Sequence, residues 1–139
     1  MLQNNSTLVK TFKDSNRIIV YNQGKEFNYL KGDDKYELIL SYLYEITNNS
    51  YEMPAFSVAD DNSTIKAIQT GLWLELEFSN TKHINDLPFD SLLIEVNPDF
   101  SGFNLIRKHN GKYDGRCFYL NLKTTMNSLY KNLKLITKE

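Results

Sequence analysis

Glu75 and Glu77 stand two residues apart in GLWLELEF, residues 71–78. Read as a strand, this stretch puts both carboxylates on one face, with α-carbons about 7 Å apart. Glu95, in SLLIEVN at 91–97, joins them if the two strands are neighbours. Three converging carboxylates could hold a divalent cation or perform acid/base work. Asp60 and Asp61, in ADDNST, offer a second acid pair that suits either a metal or a helix cap. Cys117, in GRCFYL, is the chain's one thiol. It could act as a nucleophile if Arg116 or a strand-paired His109 depressed its pKa. His83 falls in a connector between strands. The plainer reading is two surface histidines and an inert, half-buried thiol. The patterns G-x-S-x-G, H-E-x-x-H and G-x-x-x-x-G-K are absent. No metal and no cofactor is expected.

Charge supplies a second kind of chemistry. The formal net charge is only −1, but residues 1–106 carry −7 and residues 107–138 carry +7. Arg107, Lys108, Lys112 and Arg116 surround a hairpin tip, with Tyr113 among them. Such a tip could contact nucleic acid, through phosphate neutralisation and stacking. An acidic remainder opposes a long polyanion, and no zinc-finger spacing or helix-turn-helix supports one. Protein recognition fits better. Trp73, on the face of Glu75 and Glu77, would be an aromatic anchor flanked by charge. Opposed acidic and basic patches would steer a partner, or pair two copies of the chain. The competing plain reading covers Trp73 with a helix and pairs the glutamates with cations on a neighbouring strand.

These residues need elements to carry them. In 71–78, Leu72, Leu74, Leu76 and Phe78 alternate with Trp73, Glu75 and Glu77, as in a strand with one core face. STLVKTF (6–12), RIIVYN (17–22) and EFNYL (26–30) read as an opening meander, with turns at 13–16 and 22–25. Residues 35–47 form a helix: Tyr36, Ile39, Leu40, Leu43 and Ile46 recur at helical spacing, and Asp34 with Glu37 has capping-box spacing. Pro54 disfavours a central strand around it. STIKAIQ (63–69) leans to a short helix capped by Ser63. HINDLPFD (83–90) reads as a connector between strands. FNLIRKH (103–109) and RCFYLNL (116–122) make a hairpin, in which Asn110-Gly111 and Asp114-Gly115 compete for the turn and so for the register. Residues 125–137 form a second amphipathic helix, capped by Thr124 or Thr125, with Met126, Leu129, Tyr130, Leu133 and Ile136 inward.

The totals suit a single domain over 1–139, with 41% hydrophobic and 24% charged residues. One cysteine excludes an intramolecular disulfide and a four-cysteine zinc site. No signal-peptide pattern opens the chain, and no apolar run is long enough to span a membrane. A reducing, cytoplasmic setting is expected. The expected architecture is α+β: a mainly antiparallel sheet of about six or seven strands packed by two helices, free to curl toward an open barrel. The expected function is a small, soluble, non-catalytic protein-binding domain, adaptor- or inhibitor-like, of a kind that phages or mobile elements carry. Its partner would be another protein or a second copy. Its binding positions would be Trp73, Glu75, Glu77, Arg107, Lys108, Tyr113 and Arg116. The alternatives are a nucleic-acid-binding protein using the basic hairpin, and a small carboxylate- or cysteine-based enzyme.

Overall fold

The computed structural model describes residues 7–54 and 57–138. Thr7–Lys10 (α1) is a single helical turn followed by a 3₁₀ turn, Phe12–Asp14. The strand expected over 6–12 is therefore corrected for the described residues. Leu8, Val9 and Phe12 are buried at one-turn spacing, so burial of that triplet overrides the local β preference.

β1 (Arg17–Asn22) and β2 (Lys25–Leu30) form a hairpin. Gln23 and Gly24 turn it with φ of 54° and 82°, the left-handed pair that a tight two-residue turn requires. α2 (Asp34–Thr47) then crosses the sheet. Its cap position is Asp33, one residue before the expected Asp34, and the Asp33 carboxylate accepts the Leu30 amide rather than a helix amide. Tyr36 anchors α2 from its buried face: its hydroxyl donates to the Ser15 carbonyl at 2.6 Å. β3 (Tyr51–Met53) follows on the far edge, ending just before Pro54.

β4 (Val58–Ala59) and α3 (Asp61–Ala67) come next. The side-chain cap of α3 is Asp60, which accepts the Ser63 amide, so the cap lies three residues before the expected Ser63. β5 (Leu72–Ile84) and β6 (Leu87–Glu95) form a long hairpin. The connector expected over 83–90 is corrected: strands continue to a two-residue turn at Asn85 and Asp86, both at positive φ. β7 (Gly102–His109) turns through Asn110-Gly111 into β8 (Lys112–Tyr113). Asp114-Gly115 redirects the chain into β9 (Gly115–Arg116), which leaves the main sheet to pair with β4. Asn110-Gly111 makes the tight turn, and Asp114-Gly115 is the break between two short strands rather than a competing hairpin turn. The chain returns as β10 (Phe118–Asn121) beside β7 and ends in α4 (Asn127–Ile136).

The main sheet runs β2-β1-β5-β6-β7-β10-β3, with β8 added to β7. All its pairings are antiparallel. The expected architecture is corrected in its particulars. Among the described residues, the main sheet has eight strands and is packed by four helices, not two. It is open: among the described residues β2 and β3 end it as unpaired edges, so it does not curl into a barrel.

One face carries the main core. Ile18, Val20, Leu74, Leu76, Leu92, Ile94, Phe103, Leu105, Phe118 and Leu120 lie there under α1, α2 and α4. The other face is only partly covered. Ile68 at the end of α3, Trp73, Leu93 and Tyr113 form a second, smaller core there. Among the described residues, a seven-residue helix and two short strands cannot roof eight strands, and the part they leave open is the region of interest.

Candidate functional site

The register assembles the second face in rows. Trp73 is opposite Tyr21 and Glu95; Asn104 is opposite Tyr119, which is opposite Met53. Glu75 is opposite Ile19 and Leu93, and Leu93 opposite Ile106. Glu77 is opposite Arg17 and Ser91, and Ser91 opposite Lys108.

Glu75 occupies the middle row, 2% exposed. Its carboxylate accepts from the Tyr21 hydroxyl at 2.7 Å, the Ser91 hydroxyl at 2.6 Å and the Tyr113 hydroxyl at 2.9 Å. No cation pairs with it among the described residues. Hydroxyl donors replace the water that a carboxylate loses on burial, and each charge-assisted bond is worth more than a neutral one. The same contact acts on the donors. Burial first, and then the Glu75 charge, push the Tyr21 and Tyr113 hydroxyls far above their ordinary value.

A pH dependence follows. In the unfolded chain both tyrosines lose their proton near pH 10, whereas in the fold they keep it to higher pH. Their contribution to stability is complete below about pH 10 and drains away as pH rises toward the folded values. Urea unfolding across the alkaline range should show stability falling above that point. Tyr21→Phe with Tyr113→Phe should make the fall shallower. Tyr29, Tyr36 and Tyr44 are also raised by burial, so some slope remains.

The three candidate carboxylates do not converge. Glu77 holds Arg17 with paired 2.9 Å bonds, a cross-strand pair to a cation on the adjacent strand. Glu95 is exposed beside Trp73. Among the described residues, no three His, Cys, Asp or Glu side chains are placed to hold a metal ion. Asp60 is the cap of α3, and the Ser63 amide holds its carboxyl below the usual range. Asp61 accepts the Tyr113 amide at 2.7 Å and so ties α3 to β8.

Cys117 faces the second side of the sheet and is buried. Burial raises its thiol pKa and the Arg107 charge offsets this only in part, which is the reverse of what a nucleophile needs. His109 is paired in register with Lys112 and has its Nδ1 3.5 Å from Asp90, so it does not serve the thiol.

The hairpin cations part company. Arg107 is 8% exposed and points to the main-core face, where Nε donates to the Arg116 carbonyl at 2.7 Å and Nη1 to the Pro88 carbonyl at 2.6 Å. Lys108 lies half-buried over the Tyr113 ring, 4.9 Å from its centroid. Lys112 and Arg116 are exposed. The cations of α4 lie at the other end of the strands. Lys134 donates to Asn22, opposite Leu72, and the Met126 amide donates to the Phe100 carbonyl. The positive charge of 107–138 is thus spread over two ends of the molecule.

Trp73 is 6% exposed, under the end of α3, with Nε1 donating to the Thr70 carbonyl at 2.9 Å. Its remaining edge borders two adjoining hollows. One, of about 470 Å³, is lined by Trp73, Glu95, Asp99, Phe100, Asn104 and Tyr119, among others. The second, of about 390 Å³, lies between Asp60, Thr64 and Ala67 of the α3 region and Trp73, Asn104 and Ile106 of the sheet. Trp73, Asn104 and Ile106 line both, so the two form one groove over the uncovered part of the face. Gly102 shapes its floor: a Cβ there would collide with the Tyr119 hydroxyl, so only glycine lets that ring lie across the strand. A third hollow, of about 520 Å³, at the β3 edge is bordered by both Glu52 and Arg116, so its charge favours neither sign of ligand. The sequence pattern singled out Trp73 but not Asn104, Ile106, Phe100 or Tyr119, because nothing local says which part of a face is left unroofed.

No helix among the described residues is long and apolar enough to cross a membrane. No family model matches the chain, and no match to it is found among curated proteins or solved structures.

Proposed function

We propose that this chain is a small, non-catalytic protein-binding domain, adaptor- or inhibitor-like, whose partner docks in the groove on the second face of the sheet. The observation that carries this reading is the groove itself, an open concavity with Trp73, Phe100 and Tyr119 among its walls and exposed polar groups at its rim. Aromatic side chains in a concave, partly desolvated setting are the usual anchors of binding energy. The groups best suited to bond chemistry are not set up for it: Glu75 is enclosed by its donors, and burial pushes up the pKa of the Cys117 thiol, which borders the second hollow. A single unpaired, buried thiol suits a reducing cytoplasm.

Asn104→Trp tests the reading. Asn104 lines both hollows and is half-buried, so an indole there fills the groove without entering either core. Wild type and variant, matched for melting temperature, would be used to recover binding partners from the native host. A partner retained by wild type should fall by about tenfold on the variant. Equal recovery by both would reject the groove as the docking site.

A further inference from the structure

The lining of the groove specifies the charge of what enters it. Glu95 and Asp99 border one hollow and Asp60 borders the other, while no lysine, arginine or histidine borders either among the described residues. Neither Glu95 nor Asp99 has an ion-pair partner among the described residues. The Asp60 carboxyl is held in its ionised form by the Ser63 amide. Between these acids the floor is Trp73 and Ile106, with Phe100, 39% exposed, and Tyr119 alongside.

Resting on the protein-binding reading, we propose that the docked segment is cationic, with lysine or arginine on either side of an apolar residue. The apolar residue covers Trp73 and Ile106. One cation meets Glu95 and Asp99 beside the Phe100 and Tyr119 rings, where the faces of aromatic rings add attraction for positive charge. The other meets Asp60. An acidic segment would place its carboxylates against three of like sign, so the same lining rejects it.

Trp73 is the only tryptophan in the chain, and it borders both hollows, so its emission reports occupancy directly. The probes are a short peptide alternating lysine with leucine, its counterpart alternating glutamate with leucine, and spermine. The lysine peptide should shift the emission saturably, and added salt should weaken its binding. The glutamate peptide should produce no shift. Glu95→Lys with Asp99→Lys, both at exposed positions, should weaken the lysine peptide by about tenfold without altering the melting temperature.

No shift with the lysine peptide, equal shifts with both peptides, or indifference to the double reversal would each overturn the cationic assignment. Spermine binding as tightly as the peptide would overturn it in favour of a small polyamine. Failure of this inference is distinguishable from failure of the docking site. Partner capture that is blocked by Asn104→Trp yet shows no charge preference sinks only the cationic segment, whereas capture indifferent to Asn104→Trp sinks both.

Discussion

Glu75→Ala should destabilise the protein by about 3 kcal/mol or more, because it strands several buried donors that each cost about 1–3 kcal/mol when unsatisfied. In the native fold the carboxylate accepts from Tyr21, Ser91 and Tyr113. Alanine removes the acceptor, leaves the hydroxyls facing one another and opens a cavity beneath α3. For a chain of this size the loss corresponds to a fall in melting temperature of about 10 °C. Glu75→Gln should cost much less, since its amide oxygen still accepts and its amide nitrogen can donate to a tyrosine or serine oxygen.

The cluster also predicts non-additivity. Tyr113→Phe should cost about 1–2 kcal/mol in the wild-type background. In a Glu75→Leu background it should cost far less, or stabilise, because the charge that needed the donor has gone. A double-mutant cycle read by urea unfolding measures the difference. Equal costs of Tyr113→Phe in both backgrounds would mean that the short contacts around Glu75 contribute nothing together.

Arg107→Glu should be the most damaging change in the hairpin, at about 4 kcal/mol, the scale for an uncompensated buried charge. Arg107 is buried on the face that also carries Leu92 and Leu105, and it satisfies the carbonyls of Pro88 and Arg116. A carboxylate in its place would face those two carbonyls with no donor. Burial already holds the Arg107 pKa below its ordinary value, which shows how costly charge is at that point. Arg116→Glu should move stability by no more than about 0.5 kcal/mol, because its side chain is exposed. Thermal melts of the two single variants test the contrast. The consequence for binding experiments is direct: a loss of partner capture after reversal at Arg107 reports unfolding, whereas reversal at Arg116 or Lys112 reports surface charge.

Local pattern and global placement divide the molecule between them. The alternation of Leu72, Leu74, Leu76 and Phe78 against Trp73, Glu75 and Glu77 was legible because a strand's side chains alternate by geometry alone. The helices over 34–47 and 127–136 were legible because an apolar stripe at helical spacing has one way to bury itself. Asn110-Gly111 declared its turn through the left-handed backbone it tolerates, φ 53° and 80°. Residues 7–10 misled because Leu8 and Val9 suit a strand as well as a helix turn, and the choice lay with the core they enter.

The state of the second face belonged wholly to the tertiary structure. Glu75 meets its donors across sequence separations of 54, 16 and 38 residues, so no local pattern could distinguish an enclosed carboxylate from a catalytic one. Arg107 and Lys108 look alike in the chain, yet successive strand residues point to opposite faces, and one is buried against two backbone carbonyls while the other lies over a tyrosine. Charge could be counted along the chain, but it could not be placed: the cations of the hairpin and of α4 became separated when α4 docked at the Asn22 end. The physical reason is the same in each case. Periodicity states which residues share a face, and only the packing of distant segments decides whether that face is roofed, wet or left as a groove.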